Sequence, residues 1–151
     1  MKKSFLSRSI LMLLLISLLS AFTVSEELSL VKEVHFYTNS FRKSHGLGAL
    51  STDEQLNAIA QQHSENMAAG KIPFGHAGFD KRSKLVVTAH PAMNYFAENV
   101  ANGPASGKEV VKLWENSSGH RKNMLGKYTH IGIGIAKDKN GKRYYTQIFG
   151  G

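Results

Sequence analysis

The chain has 151 residues, 42% of them apolar and 20% charged, which is one domain's worth of sequence with enough apolar content for a core. It has no cysteine, which excludes a disulfide framework, a thiolate zinc site, an iron–sulfur cluster and a cysteine nucleophile. The formal charge is +8, from 19 Lys and Arg against 11 Asp and Glu.

Residues 1–25 carry three of the bases and none of the acids. They open Met1-Lys2-Lys3, reach Arg8, run through Ile10 to Leu19 and end in small residues. A basic head, a short apolar run and a small-residue end form the pattern of a secretory signal peptide, with cleavage expected after Ser25. The apolar run is shorter than the ~20 residues that span a bilayer, so no stable transmembrane anchor is expected after cleavage. The remaining 26–151 read as a single domain with 16 bases against 11 acids. Those bases are scattered: Lys81-Arg82, Arg121-Lys122 and Lys137 to Arg143. They read as solvated surface, and nucleic acid is not an expected partner.

Residues 26–45 read as a helix, because Leu30, Val34, Tyr37 and Phe41 fall on one face. Gly46 and Gly48 end it. A second helix is expected over about 52–69, with Leu56, Ile59, Ala60, His63 and Met67 on its apolar face. Ser51 with Glu54, or Thr52 with Gln55, has capping-box spacing, and Gly70 is the stop. Residues 71–93, with Pro73, Gly75, Gly78 and Pro91, read as a long irregular segment with a short helix near 80–86. Tyr95 to Ala101 reads as a buried strand that enters a loop at Asn102-Gly103-Pro104. A third helix starts at Ser106, with Glu109 at the capping-box position, buries Val110, Val111 and Trp114, and breaks by Ser118-Gly119. Ile131-Gly132-Ile133-Gly134-Ile135 alternates strictly, so the Ile side chains share one face and the glycines leave the other open to a close neighbour. Asn140-Gly141 is a hairpin signal leading to a partner strand over Tyr144 to Phe149. Helices around a small, mostly antiparallel sheet make an α+β layered domain.

Among the seven histidines, His35, His45, His90 and His130 have no partner pattern and read as surface or loop positions. His63 reads as a buried, hydrogen-bonded core residue. His76, in Phe74-Gly75-His76-Ala77-Gly78, and His120, in Ser117-Ser118-Gly119-His120-Arg121, read as loop residues held by the helices before them, where binding groups concentrate. Glu98 is an acid inside an apolar strand and needs an imidazole or arginine beside it. Two imidazoles and a carboxylate can hold zinc with an open position, form an acid–base cluster without metal, or brace loops against each other. No Gly-x-Ser-x-Gly elbow, Ser-x-x-Lys set or Walker loop is present. Ser117 and Ser118 beside His120 make at most a sequence-adjacent Ser/His pair.

The order of these motifs resembles the CAP superfamily of secreted SCP-like domains, in its compact, cysteine-free bacterial type. The resemblance is carried by Asn39-Ser40-Phe41-Arg42 with Gly46-Leu47, by Ala60-Gln61-Gln62-His63-Ser64 and by Phe74-Gly75-His76. Glu98-Asn99-Val100-Ala101, Trp114 through Leu125, Ile131 to Gly134 and Tyr145 to Gly150 complete it. It implies an α–β–α sandwich, secretion, and a central cleft with two His and two acids that in some members binds a divalent metal such as zinc. The two His map to His76 and His120, and one acid maps to Glu98. The other acid's position is Ser117, and Ala97 stands where a Gly commonly precedes Glu98. Glu115 does not substitute, because two residues along a helix turn the side chain by ~200°. The expectation is an extracellular binding module for a lipid, a protein or a cell-envelope component. A metal-assisted hydrolase or peptidase using zinc on His76 and His120, with Glu98 as base, is the alternative.

Overall fold

The computed structural model describes residues 25–151. The expected signal segment lies outside the described residues, apart from Ser25. Helix α1 covers 25–44 and ends on Gly46, whose φ of 73° suits a residue without Cβ. Strand β1, Ser51–Thr52, precedes helix α2, Glu54–Ala68. The cap of α2 is neither Ser51 nor Thr52. Those two residues pair in parallel with His130 and Ile131, so their backbone is extended, and Asp53 instead accepts from the amides of Gln55 and Leu56.

Helix α3, Phe79–Ala89, is the short helix expected near 80–86, extended at both ends. Strand β2, Phe96–Asn102, leads to helix α4, Gly107–Glu115, capped by Ser106 as its spacing predicts. The chain does not become a loop at Ser118-Gly119. Ser118–Met124 form a further helix, α5, so His120 is helical. Strands β3, His130–Lys137, and β4, Arg143–Gly150, close the domain as a hairpin, with Gly141 at φ 81° in the turn.

The sheet order is β1-β3-β4-β2, antiparallel except for β1. One face carries Ile131, Ile133, Ile135, Tyr145, Phe149, Ala97 and Ala101, and packs on α1, α4 and α5 through Leu30, Val34, Val110, Val111, Trp114 and Met124. The other face packs Ile148 against Leu56 and Ala60 of α2 and Val86 of α3. This is an α–β–α sandwich. The bare face of β3 does what alternation predicts: a Cβ on Gly132 or Gly134 would overlap the α2 backbone at Leu56 or Ala60. Asn57 and Gln61 exploit that approach, bonding the backbone of Ile133 and Ile135.

Strand β2 is an edge, and side chains cover it. The indole N–H of Trp114 donates to the Val100 carbonyl, and the Asn123 amide donates to the Glu98 carbonyl. His35 and His90 are less free than their sequence pattern implies: His35 bonds the Leu50 carbonyl, and His90 pairs with Asp53, 3.1 Å away.

Candidate functional site

Glu98 sits in the middle of β2 on the α2 and α3 face, and its side chain has no exposed surface. An unpaired carboxylate there would be costly. Three side chains surround it. Arg82 of α3 grips both oxygens, Nε donating to Oε2 at 2.6 Å and Nη2 to Oε1 at 2.7 Å. His76 Nδ1 lies 2.8 Å from Oε1. His63 Nδ1 lies 3.7 Å from Oε2 and closer, at 3.1 Å, to the Thr146 hydroxyl. A planar guanidinium presenting two parallel N–H groups matches a carboxylate as a lysine cannot. Arg82 is therefore not solvated surface, as its neighbour Lys81 is.

The local chain explains how these groups arrive. Gly75 and Gly78 have φ of 130° and 78°, which bends the segment after α2 and places His76 over Glu98. A Cβ on Gly78 would approach Arg82 Nη1, and that same Nη1 donates to the Ala77 carbonyl at 2.7 Å. One arginine thus fixes both the loop that carries His76 and the acid beneath it.

His120 comes from the other side of β2. Asn99 donates to the His120 carbonyl and to Gln147, and Asn123 donates to Asn99. Gln147 in turn donates to Thr38 of α1. This buried polar row docks α5 against the edge strand. His120 Nδ1 is buried without a hydrogen-bond partner. Burial, and secondarily the nearby His76, lower its pKa.

His63 is the buried core residue its helix face predicts, 2% exposed. Burial drives its pKa down to about 4, against the opposing pull of Glu98. Its Nε2 makes no hydrogen bond of normal geometry.

His76 and His120 line one groove of about 430 Å³ with Phe74, Gly75, Val100, Ala101, Asn102 and Leu113. Phe74 and Leu113 are 51% and 43% exposed and form apolar rims. Glu98 lies behind the His76 ring and is not part of the lining. Ser117, the residue before α5, is not part of it either, and its side chain caps nothing. The structure thus brings His76 and His120 to one surface and, of these two, bonds only His76 to Glu98.

These residues do not fit a zinc centre. Zinc takes three or four nitrogen, sulfur or carboxylate ligands. Among the described residues no three His, Asp or Glu side chains converge as a metal-holding group. Both oxygens of Glu98 are engaged by Arg82, which leaves two imidazoles.

The sequence singles out Glu98, His76 and His120, but not Arg82 or the Asn99–Gln147–Thr38 row. Arg82 stands four residues before Val86, and these are the two buried residues of α3, so helical spacing from an apolar residue is the signal that points to it.

Residues 35–149 match the family model described as CAP, cysteine-rich secretory protein family. Two Bacillus subtilis proteins are similar. The uncharacterized protein YkwD is 36% identical over 125 residues, 78% of this chain and 46% of YkwD. The uncharacterized membrane protein YlbC is 33% identical over 121 residues, 78% of this chain and 33% of YlbC. The chain therefore spans between a third and a half of the curated relatives it matches. Among solved structures, an extracellular protein containing an SCP domain from Bacillus anthracis superposes with a TM-score of 0.70 at 28% identity, covering 82% of this chain and 40% of that one.

Proposed function

The chain belongs to the cysteine-rich secretory protein (CAP) family, and from that premise we propose that it is an exported binding module whose groove beside β2 takes an apolar or amphiphilic molecule. Export is read from the basic and apolar segment at residues 1–25. No helix among the described residues is long and apolar enough to cross a membrane.

The observation that carries the reading is the closed Arg82–Glu98 pair. A hydrolase would need Glu98 free to take a proton from water, within reach of the reacting atoms. Here the carboxylate has no exposed surface and both oxygens are engaged. What remains open is an apolar groove with two imidazoles at its sides and exposed apolar rims, the usual composition of a small-molecule site.

Two titrations followed by NMR of the backbone amides test this. Addition of n-octanol is expected to shift the amides of Phe74, Val100, Ala101 and Leu113, and Leu113→Lys to weaken that binding at least tenfold. Addition of Zn²⁺ is expected to show no one-to-one binding in the micromolar range. The reading is overturned if zinc binds that tightly and the His76→Ala, His120→Ala double variant abolishes it. That outcome favours the metal-assisted alternative. Absence of any octanol-induced shift up to the solubility limit also overturns it, and moves the search to protein or cell-envelope partners.

A further inference from the structure

We propose that the Arg82–Glu98 pair sets the hydrogen-bonding sense of the groove: it holds the neutral His76 ring with its proton on Nδ1, so that the bare Nε2 accepts from an uncharged ligand carrying an O–H or N–H donor on an apolar body. This inference rests on the groove being a binding site.

An ionised carboxylate is an acceptor only. Glu98 already receives two N–H groups from Arg82, and its Oε1 lies 2.8 Å from His76 Nδ1. The atom of His76 that faces Oε1 must therefore carry a hydrogen. In a neutral imidazole the other nitrogen is then unprotonated. The His76 side chain is 49% exposed while that of Glu98 is fully covered, so Nδ1 is tied to the acid while the same side chain lines the groove. A carboxylate behind an imidazole commonly fixes its tautomer and raises its strength as an acceptor.

Charge narrows the ligand class further. Arg82 and Glu98 cancel each other beneath the groove. Burial keeps His120 in its neutral form to lower pH than an ordinary imidazole. The remaining walls, Phe74, Gly75, Val100, Ala101, Asn102 and Leu113, have no charged side chains. A carboxylate or ammonium group would lose water here without gaining an opposite charge. A hydroxyl loses less, and it satisfies Nε2. A ketone or ether oxygen placed at that nitrogen would set lone pair against lone pair. Glu98 and Arg82 are in this sense positioning residues, acting on the ligand through His76.

Two measurements on the full chain separate this inference from the groove reading. Long-range proton–nitrogen NMR correlations at about pH 8, where ordinary imidazoles are neutral, report each histidine's tautomer. His76 signals are assigned by their loss in His76→Leu. The Nδ1–H form is expected, and an Nε2–H form overturns the inference. The second measurement compares n-octanol with methyl hexyl ketone, matched in length. The alcohol is expected to bind about fivefold to tenfold more tightly, the worth of roughly one hydrogen bond. His76→Leu is expected to erase that preference. Equal binding of the two probes by the unmodified chain overturns the inference and leaves the groove reading standing. Binding of neither overturns both.

Discussion

Replacing Arg82 with Met leaves the Glu98 carboxylate covered and without its guanidinium. Breaking a buried pair from one side costs about 3–5 kcal/mol. Arg82→Met is therefore expected to lower the unfolding free energy by about 3 kcal/mol or more in urea denaturation, and a loss below about 1 kcal/mol would show that the pair is not the lock described above. His63 gives the pH dependence. Its folded pKa is depressed from 6.5 to about 4, so across that window the unfolded chain binds a proton that the folded chain refuses. Stability is then full above 6.5 and declines as pH falls toward 4, with a slope of at most about 1.4 kcal/mol per pH unit. The depressed pKa of His120 acts in the same sense. Urea midpoints at the two ends of the window, for the unmodified chain and for His63→Gln, check it: the variant should show a flatter dependence. At this scale the sequence exposes the acid and hides its partner. Glu98 stands out because its neighbours in β2 are apolar. Arg82 does not, because Lys81 beside it and Lys84 after it make an ordinary charged helix face, and only the fold reveals which of the three turns inward.

At the scale of elements, legibility follows periodicity. The Ile-Gly alternation of β3 and the apolar faces of α1, α2 and α4 repeat often enough to be read, and each of those faces packs into a core, with Tyr37, Phe41 and Ile59 half-buried at its margin. Strand β1 has two residues and α5 has seven, too few for a period to show. The cap of α2 was ambiguous because Ser51, Thr52 and Asp53 are all capping types in succession. Pairing of the first two with β3 decides in favour of the third. The contact between β3 and α2 makes a sharp prediction. Gly134→Ala should destabilise by about 2 kcal/mol or more, because the added methyl meets helix backbone rather than a movable side chain. Gly48→Ala has open space and no positive φ, and should change stability by less than about 1 kcal/mol. Thermal unfolding of the two variants side by side measures the difference. Arg42 is the second inward-turned arginine. It donates to the carbonyls of Gly48, Met124 and Gly126, binding the exit of α1 to the connection between α5 and β3. Arg42→Lys keeps the charge but loses the fork, and is expected to cost about 1–3 kcal/mol, read from the urea midpoint.

For the whole molecule, the layer architecture was legible and the division of labour between the layers was not. The sheet separates two cores of unequal size. The larger lies under α1, α4 and α5, and holds most of the apolar mass. The smaller, under α2 and α3, shares its space with Glu98, Arg82, His63, Ser64 and Thr146. Apolar periodicity finds the first kind of core readily. It has little to say about the second, where hydrogen bonding takes up part of the packing. The groove opens at the edge strand where the two sides meet, with His76 from one and His120 from the other. Disturbing either side should therefore reach the groove. Asn99→Ala, which removes the anchor of α5, is expected to weaken octanol binding several-fold while Arg82 and Glu98 remain paired, as a titration of that variant would show.

The last strand in sequence, β4, lies inside the sheet, between β3 and β2. Strand β2 ends 41 residues before β4 begins, and its backbone pairs with β4 alone. Until β4 is in place, β2 has no backbone to join and neither core has its Ile148 or Phe149. The sheet therefore closes around β4, and the two halves of the sandwich are expected to form together rather than one after the other.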